Sequence, residues 1–318
     1  MRPELDPDIA RFVTQMQAAW ALHPPFATLP LAEARAIAEE VRRPWRTGGP
    51  VMVETTEHHV PVGGVGTLRV RVYDPGVACP APALIYLHGG GFTLFSLDTH
   101  DRLMREYAAA GGFVVIGADY PLSPEARYPA ALDAIVALVD WLGGEGAVIV
   151  GCDPARVAVD GDSAGANLAL ATALRLRDRG APDRLQALLL NYGAFGARCS
   201  DEAEQRFGGP GSVLDRAEME YYFDSYTGTE DRVLDDPYAR PIIADLTGVP
   251  PCFLVIPDCD ILSEQSHAIA KRMRVAGVEV LDVVYAGATH SFLEAMSIAE
   301  LARRAIADGA AWLRTKIV

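Results

Sequence analysis

The 318-residue sequence is poor in the residues that build metal sites and disulfides. Its five cysteines, Cys79, Cys152, Cys199, Cys252 and Cys259, are odd in number and contain no C-x-x-C pair. Neither a disulfide framework nor a zinc site is expected. The seven histidines are scattered and none belongs to an H-E-x-x-H pattern. His58 and His59 are adjacent in an alternating segment, where successive side chains point to opposite faces. No metal is expected there or elsewhere.

Basic charge is also short. Against 42 acidic residues stand 28 basic ones, for a formal net charge of −14, and only Lys271 and Lys316 are lysines. Such a surface repels phosphate backbones and anionic lipid, so neither nucleic acid nor a membrane is an expected partner. No apolar run approaches the ~20 residues a bilayer span requires. Glu4, Asp6 and Asp8 leave no basic region for a signal peptide at the N-terminus, and a cytoplasmic location is the expectation. What is present is ordinary for a globular chain: 50% hydrophobic and 22% charged residues, which argues against disorder.

Periodicity divides the chain. The first 45 residues predict two amphipathic helices, about Pro7–Leu22, ended by Pro24-Pro25, and about Leu31–Arg43, stopped by Pro44. Between Thr47 and Pro82, β-branched alternation punctuated by Gly63-Gly64 and Asp74-Pro75-Gly76 predicts antiparallel strands. Short apolar runs then alternate with helical stretches. The runs are Ala83–Leu87, Phe113–Ala118, Val157–Asp160, Leu185–Tyr192, Cys252–Ile256 and Val280–Tyr285; the helices fall near Thr99–Ala110, Pro129–Leu142, Ala164–Arg179, Glu264–Ala276 and Ile298–Leu313. Uniformly apolar strands are buried on both faces, so the pattern predicts an α/β fold with a mostly parallel sheet covered by helices. Gly193–Arg240 interrupts the rhythm with a glycine-rich stretch at Gly208–Gly211, a helical stretch at Asp215–Tyr226 and a crowd of aromatics. An insertion of that length is usually functional, often a lid.

Two motifs carry chemistry. Gly161-Asp162-Ser163-Ala164-Gly165 matches G-x-S-x-G and lies between an apolar strand and a helix. In that context the pattern is a nucleophile elbow, with the serine exposed on a tight turn. Upstream, His88-Gly89-Gly90-Gly91-Phe92 follows a strand, and its consecutive glycines offer backbone N–H groups. Together with the N–H of Ala164 they would make an oxyanion hole. No Gly-Lys-Ser/Thr follows, which argues against a phosphate loop. His88 reads as a structural residue that hydrogen-bonds the loop. A serine alcohol needs a base, and the base needs an orienting acid. Only His267 and His290 follow Ser163, and only His290 lies in a loop past a strand. Asp258 and Asp260 both occupy the loop after Cys252–Ile256, and spacing does not choose between them.

With these residues in view, the chain resembles the hormone-sensitive-lipase-like esterases, the bacterial family IV carboxylesterases of the α/β-hydrolase fold. The resemblance rests on His88–Phe92, Gly161–Gly165 with Asn167, Asp119–Glu125, Tyr128–Ala131, Asp236–Tyr238, Asp260–Leu262 and Thr289–Phe292, and covers nearly everything from about Leu68. Leu97–Asp101 and Pro250–Phe253 bring it nearest to acetyl esterases. The resemblance implies Asp260 as the acid, although Ile261 stands where proline is usual, and Gly90, Gly91 and Ala164 as the oxyanion donors. It also implies an α/β-hydrolase core at 49–193 and 241–318, with residues 1–48 and the insertion 194–240 forming a cap. Phe92, Tyr192, Phe195, Phe207 and Tyr222 are the expected pocket residues. The stretch Asn191–Ala194 departs from the Tyr-Pro turn common at that point, and the acyl preference is expected to differ with it.

The expected function is a serine carboxylesterase for short-acyl esters of small molecules, without cofactor. Amide or lactone cleavage by the same residues stays open, as does a non-catalytic binder. Plant gibberellin receptors resemble this family but lack the histidine, whereas here it is present. Family members are often dimers, which leaves a homodimer open as well.

Overall fold

A computed structural model describes residues 4–25, 28–63, 66–209, 211–228, 233 and 235–318. Gly64 of the Gly63-Gly64 pair and Pro210 of the stretch Gly208–Gly211 lie outside that set. Strands β1 (Glu54–Val62), β2 (Gly66–Asp74), β3 (Ala81–Leu87), β4 (Val114–Ala118), β5 (Cys152–Asp162), β6 (Ala187–Asn191), β7 (Cys252–Pro257) and β8 (Val280–Tyr285) form one sheet in the order β1-β2-β4-β3-β5-β6-β7-β8. The first two are antiparallel to their neighbours, and every pair from β4 onward across the sheet is parallel. This is the mostly parallel sheet that the alternating pattern predicted, in the α/β-hydrolase arrangement that the resemblance implied. Every residue of β3, β4, β6 and β7 is buried, as strands covered on both faces must be.

The helices are α1 (Pro7–Trp20), α2 (Leu31–Arg46), α3 (Asp101–Gly111), α4 (Ala130–Leu142), α5 (Glu145–Val150), α6 (Ala164–Asp178), α7 (Asp201–Phe207), α8 (Arg216–Thr227), α9 (Ser263–Val275) and α10 (Glu300–Ile317). A core forms on each face of the sheet. On one face α4, α6 and α9 pack against the sheet through residues such as Leu132, Leu168 and Met273. On the other, α3 and α10 do so through Tyr107 and Leu313, with Phe12 and Trp45 of the N-terminal helices joining them. None of the described helices is long and apolar enough to cross a membrane.

Three local expectations needed correction. Helix α2 runs through Pro44 to Arg46 instead of stopping. An interior proline costs about 3 kcal/mol by removing one hydrogen bond and crowding a carbonyl. Here the last turn is retained by packing, because Trp45 is buried and meets Phe12 edge-on at 4.7 Å. Strand β5 begins five residues before the apolar run, since Cys152 pairs with Ala81 across a bulge. The final helix begins at Glu300, after a 3-10 turn at Phe292–Ser297.

The insertion leaves the sheet after β6 and returns before β7, carrying α7 and α8. One side chain holds both of its ends: Asn167 Nδ2 on α6 donates to Ala194 O at 2.8 Å and to Ala239 O at 3.2 Å. Its far side touches α1, where Gln17 Nε2 donates to Gly211 O at 2.8 Å.

Candidate active site

At the end of β5 the chain turns so sharply that Ser163 adopts φ 55° and ψ −115° before α6 begins at Ala164. A non-glycine residue held there stores on the order of 1–3 kcal/mol and persists only where its surroundings fix it. The surroundings are explicit. Ser163 N donates to Asn191 O at 2.9 Å and Ala194 N to Ser163 O at 3.1 Å. Gly165 packs so closely on β3 that a Cβ would lie 1.9 Å from Leu87 O. No other residue type fits there.

The turn aims Ser163 Oγ at His290 Nε2, 2.9 Å away, and His290 Nδ1 lies 2.8 Å from Asp260 Oδ2. A carboxylate can only accept, so Nδ1–H donates to Asp260 and the lone pair of Nε2 is left for the serine hydroxyl. Asp260 is held in turn by Leu262 N, which donates to its Oδ1 at 2.9 Å. All three side chains are buried. Burial alone would pull the His290 imidazole down, but the charge and hydrogen bond of Asp260 outweigh it and hold the pKa above its ordinary value.

Geometry separates the alternatives that spacing left open. Asp258 faces away from the imidazole and accepts from Gly287 N at 2.7 Å and from Cys259 Sγ at 3.1 Å. It tethers the His290 loop to the loop after β7. His267 sits exposed on α9.

The glycine loop after β3 comes next to the elbow. Gly90 and Gly91 have φ of 108° and 59°, conformations in which glycine is the unstrained residue. Among the described residues no acceptor takes the N–H of Gly90, Gly91 or Ala164. The loop is fastened from beneath by Asp162, whose Oδ1 accepts from Gly89 N at 2.9 Å and from Tyr86 Oη at 2.7 Å. His100 Nε2 stands 3.5 Å from the same oxygen. Burial would raise Asp162, but the neighbouring His100 and the hydrogen bonds outweigh it and leave the pKa below the usual value. His88 is stacked on Tyr120 at 4.4 Å and its Nδ1 lies 2.7 Å from Gly89 O. Burial and the neighbouring His100 push its pKa down to about 4, so it is neutral and structural.

A cavity of about 540 Å³ opens above Ser163. Phe12, Val13, Met16 and Trp20 of α1 form one wall, and Leu214, Met219, Tyr222 and Phe223 of the insertion another. Of the five aromatics expected to line a pocket, Phe92 and Tyr222 border this cavity. The other three stand behind it. Tyr192 is fully buried and meets the His290 ring edge-on at 5.1 Å. Phe195 belongs to the core beneath the insertion, and Phe207 packs beside Ala203 and Met219.

Several residues at the site escaped the sequence reading. Arg42 on α2 reaches the cavity, forms a buried ion pair with Glu294 just past His290, and stacks its guanidinium over Phe95 at 4.7 Å. Asp162, Tyr86 and His100 form the buried polar cluster under the glycine loop. Asp162 stood inside a motif, but the motif assigns no duty to that position. The other residues are single polar letters within apolar runs.

Residues 84–294 match a protein family described as having the α/β-hydrolase fold. The whole chain is similar to a hyperthermophilic esterase from the archaeon Pyrobaculum calidifontis, with 30% identity over 98% of each chain and a TM-score of 0.91. It is also similar to a thermostable carboxylesterase cloned from a metagenomic library, with 30% identity over 92% of this chain and 99% of that one and a TM-score of 0.87. A third similar structure is an esterase solved as a serine-to-alanine variant with (S)-Ac-CPA bound, at 27% identity, 100% and 99% coverage and a TM-score of 0.90. With two thirds of the chain matched and an esterase-like relative superposing along nearly its whole length, the protein belongs to this α/β-hydrolase family.

Proposed function

We propose that the protein is a serine carboxylesterase that hydrolyses small esters with short acyl groups through an acyl-enzyme. The observation that carries this reading is the unbroken line from Asp260 through His290 to Ser163, at 2.8 Å and 2.9 Å, at the base of an apolar cavity. The esterases to which the chain is similar support the ester as substrate.

In this reading Ser163 Oγ attacks the ester carbonyl while His290 Nε2 takes its proton. Asp260 keeps Nδ1 protonated and stabilises the imidazolium as it forms. The N–H groups of Gly90, Gly91 and Ala164 receive the tetrahedral oxyanion, each donor contributing about 3–4 kcal/mol to the transition state. The proton passes from His290 to the departing alcohol. Water, deprotonated by the same nitrogen, then attacks the acyl-enzyme and releases the acid. Helices α1 and α2 and the insertion act as the cap that keeps bulk water from the intermediate.

The short-acyl limit, and with it the leaning towards acetyl esterases, is supported by crowding beside the nucleophile. The Tyr222 ring lies where a Cβ at position 91 would stand, within 2.3 Å, and Phe92 stacks on Tyr226 at 3.8 Å. The test is a series of p-nitrophenyl esters from acetate to dodecanoate, with Ser163→Ala alongside. A maximum at the short end that vanishes in the variant is expected. Rates independent of Ser163 would overturn the reading.

A further inference from the structure

One polar side chain of the cavity wall has no part in the chemistry above. Glu218 borders the cavity from the first turn of α8. Its presence there has a local reason: it closes a capping box, in which Glu218 Oε2 accepts from Asp215 N at 3.1 Å and Glu218 N donates to Asp215 Oδ1 at 2.9 Å. That arrangement occupies one carboxylate oxygen. The other, Oε1, has no hydrogen-bond partner among the described residues. Arg42, the one guanidinium among the described residues that line the cavity, is already paired with Glu294. Aromatic rings border the same cavity: Tyr222 one turn along the same helix, Phe223 next in sequence, and Phe12 and Trp20 on α1. A carboxylate sharing a cavity with aromatic rings is the recognition chemistry of an ammonium group, which ring quadrupoles and a negative charge both attract.

We propose that Glu218 and the aromatic wall form a subsite for a cationic alcohol limb, so that the favoured esters are those of amino or quaternary ammonium alcohols. The inference rests on the esterase reading of the same cavity. It assigns the charged limb to the alcohol because, in that reading, the acyl group is short and the rest of the cavity wall is left to the alcohol. An anionic ester would be repelled by Glu218.

Protonation gives the subsite a second signature. Although part of the residue is open to water, desolvation against the cavity wall and the charge of Asp215 push the Glu218 carboxyl up to about 7, while the Asp215 N–H bond and the His290 imidazole pull it back. Tyr222 on the same helix interacts with it, and His23, Arg42 and Asp162 are further ionisable groups that border the same cavity. The subsite is therefore uncharged in mild acid and anionic above about 7.

The experiment compares acetylcholine with its uncharged isostere, in which a tert-butyl group replaces trimethylammonium, and reads the ratio of their kcat/KM values. Both esters depend equally on Ser163 and His290, so the ratio isolates the subsite. In the unaltered chain the ratio should favour the cation and rise as pH climbs through about 7. Glu218→Gln keeps an acceptor for the Asp215 N–H and removes the charge; the ratio should fall on the order of fivefold. Glu220→Gln, an equal charge change at an exposed position off the cavity, should leave it unchanged. A ratio that is flat with pH and indifferent to Glu218→Gln overturns the inference. So does an equal fall in both variants, which would assign the effect to the overall charge of −14. In either case Ser163-dependent hydrolysis of p-nitrophenyl acetate would persist, so the esterase reading would stand. Loss of that Ser163 dependence would overturn both.

Discussion

Ser163 and Met16 face the same cavity but are held there by different means. Ser163 sits on a strand end, its backbone bonded to Asn191 and Ala194 and its neighbours packed to backbone distance. The glycine loop beside it is fixed by a buried carboxylate with two donors. Met16 stands on a helix that meets the insertion through side chains and, among the described residues, a single side-chain hydrogen bond, Gln17 to Gly211. The base of the cavity is thus determined by backbone geometry, and its walls by contacts between helices that several sequences could satisfy. Positions that set the chemistry should tolerate little, and positions that set the substrate much more.

The sharpest way to break this contrast is at the base. Asp260→Asn should lower kcat about ten-thousandfold with the fold intact, because the imidazole loses its tautomer and its partner. Asp258→Asn, two residues away, should leave kcat nearly unchanged and cost stability alone; equal losses would mean the loop, not the carboxylate, is what matters. Next in size, Asp162→Ala should release the glycine loop and lower kcat by about a hundredfold to a thousandfold with little change in KM, as expected when oxyanion donors are displaced. A KM effect without a kcat effect would place Asp162 with the walls. Arg42→Met tests how firmly a wall is tied to the base, since it strands Glu294 in the interior. A loss of about 3–5 kcal/mol in chemical denaturation is expected, largely restored when Glu294→Leu is added. Smallest of all, Met16→Ala should raise KM a few-fold and spare kcat, because roughly 1–3 kcal/mol of apolar contact is shared by ground and transition states.

pH sharpens the comparison from another direction. His290 must be neutral to accept the serine proton, so kcat/KM should rise with pH along a limb that lies above the ordinary histidine pKa. Stability runs the other way. A histidine whose folded pKa is raised contributes stability that is full below its unfolded pKa and is lost as pH climbs through the folded value. Asp260→Asn removes the main cause of the raise and should move the limb to lower pH. A limb that stays in place would show that another group governs it.

The contrast also explains what could be read from the sequence. Ser163, His290 and the two candidate aspartates were legible because an elbow needs small residues at fixed offsets and a parallel sheet gathers its loops at one end. The choice of Asp260 over Asp258 was not, since both carboxylates share one loop and only the direction of each side chain decides. The resemblance supplied it. Phe195 and Phe207 were expected in a pocket on the strength of being aromatic in an insertion, and aromatics fill cores as readily as they line cavities. Pro44 was read as a stop, yet the burial of Trp45 outweighs it. Arg42 and Glu294 lie far apart in the chain, and nothing local announces such a pair.

The single amide of Asn167 that holds Ala194 and Ala239 has a consequence for how such a chain can change over time. Because the two feet of the insertion meet at one point on α6, what lies between them can grow, shrink or be exchanged without moving a strand of the sheet. The entropy of closing a loop grows only slowly with its length, about 0.6 kcal/mol for each doubling. Asn167 therefore works as a socket: a segment of different length and composition can be plugged in above an unaltered serine, and new substrates become reachable by replacing a cassette.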